Sequence, residues 1–189
     1  MPLWQQTYRN DSNLNRDSNA VYGEVYYDIS DDTRLTLGGR YSEYRITDHG
    51  WTGLADLTGK GAGYMGATQP RADIRTYEGD KTTYKVGLDH NLNDNQLLYA
   101  TFSTGFKPGG SNPTAADGGG ASVYDPEEVE VFEVGMKNTL MDGRLQLNLS
   151  AYHNEVTGLQ LSKIVRRSSI NENADATIKG VEAEFTFFI

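Results

Sequence analysis

The stretch that decides the fold is VYGEVYYDISDDTRLTLGGRY, residues 21–41. Apolar and polar side chains alternate in both of its arms, and the arms flank a polar segment at residues 30–33. A period of two residues is typical of a β-strand whose two faces meet different surroundings. A short run of Ser, Asp and Thr is typical of a tight turn. The stretch therefore predicts an antiparallel hairpin with one apolar face and one polar face.

The same pattern recurs along the chain. Further alternating segments cover residues 84–103, 132–152 and 180–187. The third hairpin turns at Asp142 and Gly143, a residue pair that strongly favours a short hairpin loop. Together these segments predict about seven antiparallel strands.

The connections between the predicted strands alternate in length. The short ones cover residues 30–33, 91–95 and 141–144, and the long ones cover about 47–79, 108–127 and 164–175. Outer-membrane β-barrels have short turns at the periplasmic end and long loops at the extracellular end. Each alternating segment is also about as long as a tilted strand that crosses a bilayer. The chain is therefore predicted to be an all-β, antiparallel segment of a transmembrane β-barrel.

A soluble carbohydrate-binding β-sandwich is an alternative, because its strands alternate as well. Its inner faces form a core and carry bulky aliphatic side chains. The apolar face here instead includes Gly23, Gly39 and Ala100, while charged residues stand in the middle of strands on the polar face. These features favour the membrane barrel. The sandwich predicts a monomer in buffer without detergent, where the barrel segment predicts aggregation.

Composition excludes several functional classes. The 189 residues contain no cysteine, which removes disulfides, thiol nucleophiles and thiolate metal sites. The net charge of −9 argues against nucleic acid as a partner, because phosphate binding requires a basic surface. The histidines, His49, His90 and His153, lack the spacing of metal ligands. We predict no catalytic residue, no metal site and no cofactor, and we do not expect an enzyme.

Three passages of the sequence resemble strands of the TonB-dependent outer-membrane receptors. They are residues 98–112 (LYATFSTGFKPGGSN), residues 124–148 (beginning YDPEEVEVFEVGMK) and residues 173–184 (ending IKGVEAE). The passages occur in the same order as in the family and cover about residues 98–185, whereas residues 20–97 are similar only in style. The motif positions are Gly105, Phe106, Lys107, Gly109, Gly110, Pro126, Glu127, Glu133, Gly135, Lys137, Asp142, Gly143, Gly180 and Glu182.

Some of these positions have a structural interpretation of their own. Gly105, Gly109 and Gly110 are expected to permit a sharp exit from the strand, with Pro108 ending the hydrogen-bond ladder. The glycines at positions 135 and 180 lie on the polar face, where we expect them to leave room for whatever fills the barrel.

The resemblance implies a receptor that binds a scarce nutrient, most often a ferric siderophore, and imports it with energy from the TonB system. Members of the family also have a plug domain and an N-terminal segment that contacts TonB. Neither is found in residues 1–189, and the first residues do not form a secretory signal. We therefore expect part of a barrel domain, surrounded by outer-membrane lipid and linked to TonB only through the plug. A small passive barrel or adhesin of roughly eight strands is the alternative.

Ligand binding is expected in the long loops. The candidate residues are Trp51, Tyr64, Arg71, Arg75, Lys107, Arg166 and Arg167. Aromatic and Arg side chains are frequent anchors for anionic or ring-rich ligands. The alternative is that these side chains are simply solvated, or belong to the aromatic girdle of a barrel.

Overall fold

The computed structural model describes the backbone of residues 6–56, 73–112, 123–165 and 168–188, and the side chains of most of them. Within these residues the regular structure is all β, and no helix is long and apolar enough to cross a membrane. The strands are β1 (Gln6–Ser30), β2 (Thr33–Asp56), β3 (Asp73–Asn93), β4 (Gln96–Lys107), β5 (Gly110–Ser111), β6 (Val123–Tyr124), β7 (Glu127–Leu140), β8 (Leu145–Val165) and β9 (Ser168–Phe187).

The seven long strands form one antiparallel sheet in the order β1-β2-β3-β4-β7-β8-β9. Strands β5 and β6 form a separate two-stranded sheet between β4 and β7. Each long strand therefore pairs with the long strands before and after it in the chain. The predicted all-β, antiparallel fold is confirmed, as an open sheet with β1 and β9 at its two edges.

The short turns lie where the sequence predicts them. Tight turns occur at residues 31–32, 94–95 and 141–144. At the last of these, Met141, Asp142 and Gly143 have φ values of 54°, 55° and 86°, the left-handed region that hairpin turns require. We refer to this end of the sheet as the lower end, and to the opposite end as the upper end.

At the upper end the strands are much longer than predicted. Strand β2 continues to Asp56 and β3 begins at Asp73, so much of the expected connection at 47–79 is strand. The prediction of a long loop at 164–175 is wrong, because β8 continues to Val165 and β9 begins at Ser168. These extensions carry polar residues on both faces, so the alternation that marks a strand is absent from them. The connection at 108–127 is confirmed in outline, with β5 and β6 inside it.

Candidate functional site

One face of the sheet is apolar, and its upper limit is an aromatic line. On this face the unbroken apolar runs of β2, β3, β4 and β7 end at Tyr41, Tyr84, Phe102 and Phe132. The next residues upward on the same face are polar: Glu43, Thr82, Thr104 and Glu130. Aromatic side chains at the limit of an exposed apolar band form the girdle of a membrane barrel. We therefore assign this face to the outside of the barrel.

The upper limit of the apolar band runs obliquely across the sheet. It lies at Val21 in β1 and at Val181 in β9. Starting from Val181, a continuous row of cross-strand partners reaches Tyr27 of β1 after six strand-to-strand steps. Tyr27 lies about six residues below Val21, so the upper limit of the band rises by about six residues relative to this row. A shift of about one residue (~3.4 Å) per strand spacing (~4.8 Å) corresponds to a tilt of about 35°. Strands of membrane barrels have this tilt, and it makes the band level with the membrane.

The opposite face is polar, and tyrosines cover its glycines. Three such pairs stand directly opposite each other in neighbouring strands: Tyr44 with Gly79, Tyr99 with Gly135, and Tyr152 with Gly180. A β-carbon at position 135 would lie 2.5 Å from the hydroxyl of Tyr99, which itself donates to Glu133 at 2.6 Å. The space above Gly135 and Gly180 is therefore occupied by tyrosine rings and is not left open, contrary to the expectation from the sequence.

Toward the upper end, an aromatic cluster joins Tyr44 and Tyr77 of the inner face to Phe106, which by alternation belongs to the outer row of β4. The ring of Tyr44 stacks on Tyr77 with centroids 6.1 Å apart, and meets the ring of Phe106 at 5.7 Å. Tyr44 and its same-face neighbours Ser42 and Ile46 are buried. Burial, with the nearby Tyr44, raises the pKa of Tyr77 to about 12.

A cavity of about 390 Å³ opens beside this cluster, and we name it the niche. Its side chains include Arg16, Arg40, Ser42, Tyr44, Thr83 and Phe106. Arg40 donates through Nε to Ser42 at 2.9 Å and lies over the ring of Tyr22. Among the side chains that the structure describes, neither Arg16 nor Arg40 forms an ion pair with a carboxylate. Asp17 also lines the niche, which thus combines two arginines and one carboxylate with aromatic rings. The volume of the niche suits a small-molecule group.

Above the niche the chain crosses the polar face, and we name residues 108–112 and 123–126 the strap. Gly109 lies against Tyr77, since a β-carbon there would be 2.8 Å from the tyrosine Cζ. Ser111 donates to Asp48 of β2 at 3.2 Å. The strap is therefore attached to the inner side of β2 and β3.

The strap is also attached to β8 and β9 by amide side chains. Asn112 is 2% exposed and exchanges two hydrogen bonds with the backbone of Asn171, at 2.6 and 2.8 Å. Asn173 exchanges two hydrogen bonds with the backbone of Asp125, at 2.8 and 3.0 Å. Gln160 donates to the carbonyl oxygen of Pro108 at 2.9 Å. The strap thus connects β2 and β3 with β8 and β9, which lie toward opposite edges of the sheet.

Two of the predicted ligand residues can be placed. Arg75 is half-buried near the upper end of β3, and Lys107 is exposed at the upper end of β4. The predictions for Trp51, Tyr64, Arg71, Arg166 and Arg167 concern side chains outside the described residues. In the part of the chain that is described, no group of three His, Cys, Asp or Glu side chains could hold a metal ion.

The motif positions fall at the niche, the strap and the inner face. Phe106 lines the niche with Gly105, and Gly109, Gly110, Pro126 and Glu127 lie in or beside the strap. Glu133 accepts a hydrogen bond from the hydroxyl of Tyr99, and Lys137 lies over its ring. Glu182 lies on the inner face, two residues below Gly180. Asp142 and Gly143 form the lower turn, as predicted.

Sequence reasoning did not find Arg16, Arg40, Tyr44 and Tyr77 as site residues. Each stands at a position that the alternation along its strand assigns to the inner face. That periodicity indicates which face they occupy. It does not indicate that they lie close together, because this depends on the register of strands that are polar on both faces.

The inclined apolar band, the polar inner face and the strap define a wall segment of a membrane β-barrel. The chain belongs to the family of TonB-dependent receptor β-barrels. The family model described as TonB dependent receptor-like, beta-barrel, matches residues 3–188.

Similar proteins are much longer than this chain. The ferripyoverdine receptor of Pseudomonas aeruginosa is 24% identical over 164 residues, which are 86% of this chain and 17% of that receptor. The metal-pseudopaline receptor of the same species is 35% identical over 71 residues, which are 38% of this chain and 9% of that receptor. The ferric yersiniabactin uptake receptor of Yersinia pestis superposes with a TM-score of 0.74 at 18% identity, covering 95% of this chain and 25% of the receptor. The last likeness confirms the fold.

Proposed function

We propose that this chain forms part of the wall and mouth of an outer-membrane receptor that imports a ferric siderophore with energy from TonB. The match of residues 3–188 to the receptor barrel family carries this proposal. The relatives named for ferripyoverdine and metal-pseudopaline support a metal chelate as the cargo. In this reading residues 1–189 belong to the barrel domain, and a plug within the barrel makes the contact with TonB.

The apolar face would contact outer-membrane lipid, and the upper end would face the outside of the cell. The first assignment follows from the aromatic girdle and the strand tilt. The second follows from the short turns, which lie at the periplasmic end in such barrels. The niche and the strap then lie at the mouth, where cargo arrives.

The niche would contribute to cargo binding. Arg16 and Arg40 provide positive charge, and Tyr44 and Phe106 provide flat apolar contact, which together fit an anionic chelate with planar groups. Arg75 and Lys107 would add positive charge at the rim. The five loop side chains predicted from the sequence, at positions 51, 64, 71, 166 and 167, stay candidates.

The test is uptake of iron-55 siderophores by iron-starved cells that lack the gene and are complemented with it. Ferric pyoverdine-type and pseudopaline-type chelates are the first probes. We expect uptake that disappears in cells without TonB. Arg16→Ala and Arg40→Ala should each raise the half-saturating concentration on the order of tenfold, the effect of losing one charge-assisted hydrogen bond.

Arg45→Ala is the matched control. Arg45 lies on β2 at the height of Arg16, but on the outer face, where it pairs with Glu78. It should leave uptake unchanged. An equal loss in Arg45→Ala would contradict a role of the niche, and TonB-independent diffusion of small solutes would favour a passive barrel.

A further inference from the structure

The hydrogen-bonded wall is interrupted at the upper end, between β3 and β4. In the described residues these strands pair only from Lys85 and Ser103 downward. Above this point β3 continues to Asp73 and pairs with β2, while β4 continues to Lys107 and pairs with β7. The sheet therefore divides into two leaves, β1–β2–β3 and β4–β7–β8–β9. We name the gap between them the seam.

Side chains bridge the seam in place of a backbone ladder. The amide of Tyr84 donates to the hydroxyl of Thr104 at 2.9 Å, just above the last backbone pair. Higher up, Lys81 of the first leaf forms an ion pair with Glu128 of the second. Both of these side chains are partly exposed to solvent, so the ion pair resists separation far less than a continuous ladder would.

The niche lies across the seam. Arg16, Arg40 and Tyr44 belong to the first leaf, and Gly105 and Phe106 belong to the second. The Tyr44–Phe106 ring contact is thus a contact between leaves. Any molecule that fills the niche touches both leaves, and the width of the seam sets the width of the niche.

The strap crosses the mouth from one leaf to the other. Ser111 is bonded to β2 of the first leaf, and the next residue, Asn112, is bonded to β9 of the second. A change in the separation of the leaves must therefore move the strap. Among the described residues, the other neighbouring long strands are joined by backbone ladders whose register shifts only between Asp28 and Ser30 and between Val156 and Leu159.

We propose that the seam is a hinge that narrows when cargo occupies the niche, and that this closure carries the strap over the bound molecule. The inference rests on the proposed receptor function. A ligand that contacts both leaves binds the narrow form better than the wide form, so it shifts the population toward closure. The bridging side chains permit this because they can change partners without breaking backbone pairing.

Cross-linking across the seam tests the proposal in the native gene product, held in outer membranes. The printed chain has no cysteine, so Lys81→Cys with Glu128→Cys introduces one reactive pair. The rate of bridging by a short cross-linker with two thiol-reactive maleimide groups is measured with and without the ferric chelate that the cells import. We expect cargo to accelerate bridging on the order of fivefold or more.

Glu43→Cys with Asp80→Cys is the matched control. These residues are direct cross-strand partners within the first leaf, and residue 80 adjoins residue 81. Their bridging rate should not respond to cargo. Phe106→Ala, which removes the ring that meets Tyr44, should abolish the response of the seam pair, and Phe106→Leu should restore part of it.

The outcomes separate the two proposals. If labelled chelate neither binds nor enters, the receptor function fails before the seam is tested. If chelate binds and is imported while the seam pair bridges at one unchanged rate, the hinge is wrong and the receptor function stands. A response of equal size in the control pair would also overturn the hinge, because it would indicate a general change in reactivity.

Discussion

The lower and upper halves of this wall are built differently, although the same strands run through both. In the lower half all neighbouring long strands are paired, with register shifts only beside the turns at residues 31–32 and 94–95, and apolar and polar side chains alternate along most of each strand. In the upper half the ladder divides at the seam, the apolar run of the outer face has ended, and the inner side holds the aromatic cluster of Tyr44 and Tyr77. Side chains of the strap join the two leaves there. The lower half presents an exposed apolar band on its outer face, whereas the upper half depends on specific side-chain contacts.

The comparison predicts that substitutions in the lower half act through burial and those in the upper half through individual bonds. The largest effect should come from a charge on the lipid face. Ala183 lies in the middle of the apolar run of β9, and Ala183→Arg should lower the free energy of unfolding by about 2–4 kcal/mol. Urea unfolding of the receptor in lipid vesicles measures it.

Glu184→Arg is the control, because the neighbouring residue lies on the inner face opposite Asn148. It should cost far less, since the inner face is polar. Equal losses for the two variants would mean that the faces are assigned the wrong way round, or that neither meets lipid.

The same contrast decides how much could be predicted from sequence. Residues 21–41, 84–103 and 132–152 form the predicted strands because one face must be apolar in lipid, and this requirement leaves a period of two. Above the girdle no such requirement exists, so β8 and β9 continue through a segment that the sequence indicates as a loop. Backbone hydrogen bonds between the strands stabilise these extensions, and such bonds require no particular side chains, so the sequence does not indicate them.

The candidate site was less predictable for the same reason. Phe106 was identified because it belongs to a family motif. Arg16 and Tyr44 are 28 positions apart and meet at the niche only through the register of β1 and β2. A slip of one residue between β1 and β2 would place the two side chains on opposite faces, and no apolar pattern in this part of the sequence fixes the register.

A second, smaller effect concerns glycine-to-alanine substitutions, whose cost in stability should differ between the two faces. Gly135→Ala must displace the ring of Tyr99, because the new β-carbon would lie 2.5–2.6 Å from ring and hydroxyl atoms. We expect a loss of about 1–3 kcal/mol. Gly39→Ala, on the outer face, meets nothing within 4 Å and should be neutral or slightly stabilising. Both are measured by the same unfolding experiment, and a neutral Gly135→Ala would show that the tyrosine ring is not fixed there.

A third, smaller effect tests the upper half at the strap. Asn173→Ala removes the side chain that pairs with the backbone of Asp125 and also donates to the carbonyl oxygen of Gly158. The Asp125 amide should then exchange with solvent faster, with a local loss of about 1–2 kcal/mol. Glu172→Ala is the control, since Glu172 pairs instead with Lys163. Unchanged exchange at Asp125 in Asn173→Ala would mean that the strap is held by other contacts.

The smallest effect should come from the exposed ion pair between Arg45 and Glu78, on the outer side above the girdle. The two atoms are 3.0 Å apart, and both side chains are more than half exposed. Water screens such a pair, so a double-mutant cycle with Arg45→Ala and Glu78→Ala should give a coupling below about 1 kcal/mol, and less at high salt. A coupling of several kcal/mol would contradict the view that ion pairs outside the membrane add little to this wall. It would also imply that the Lys81–Glu128 pair holds the seam firmly, and a firmly held seam could not act as a hinge.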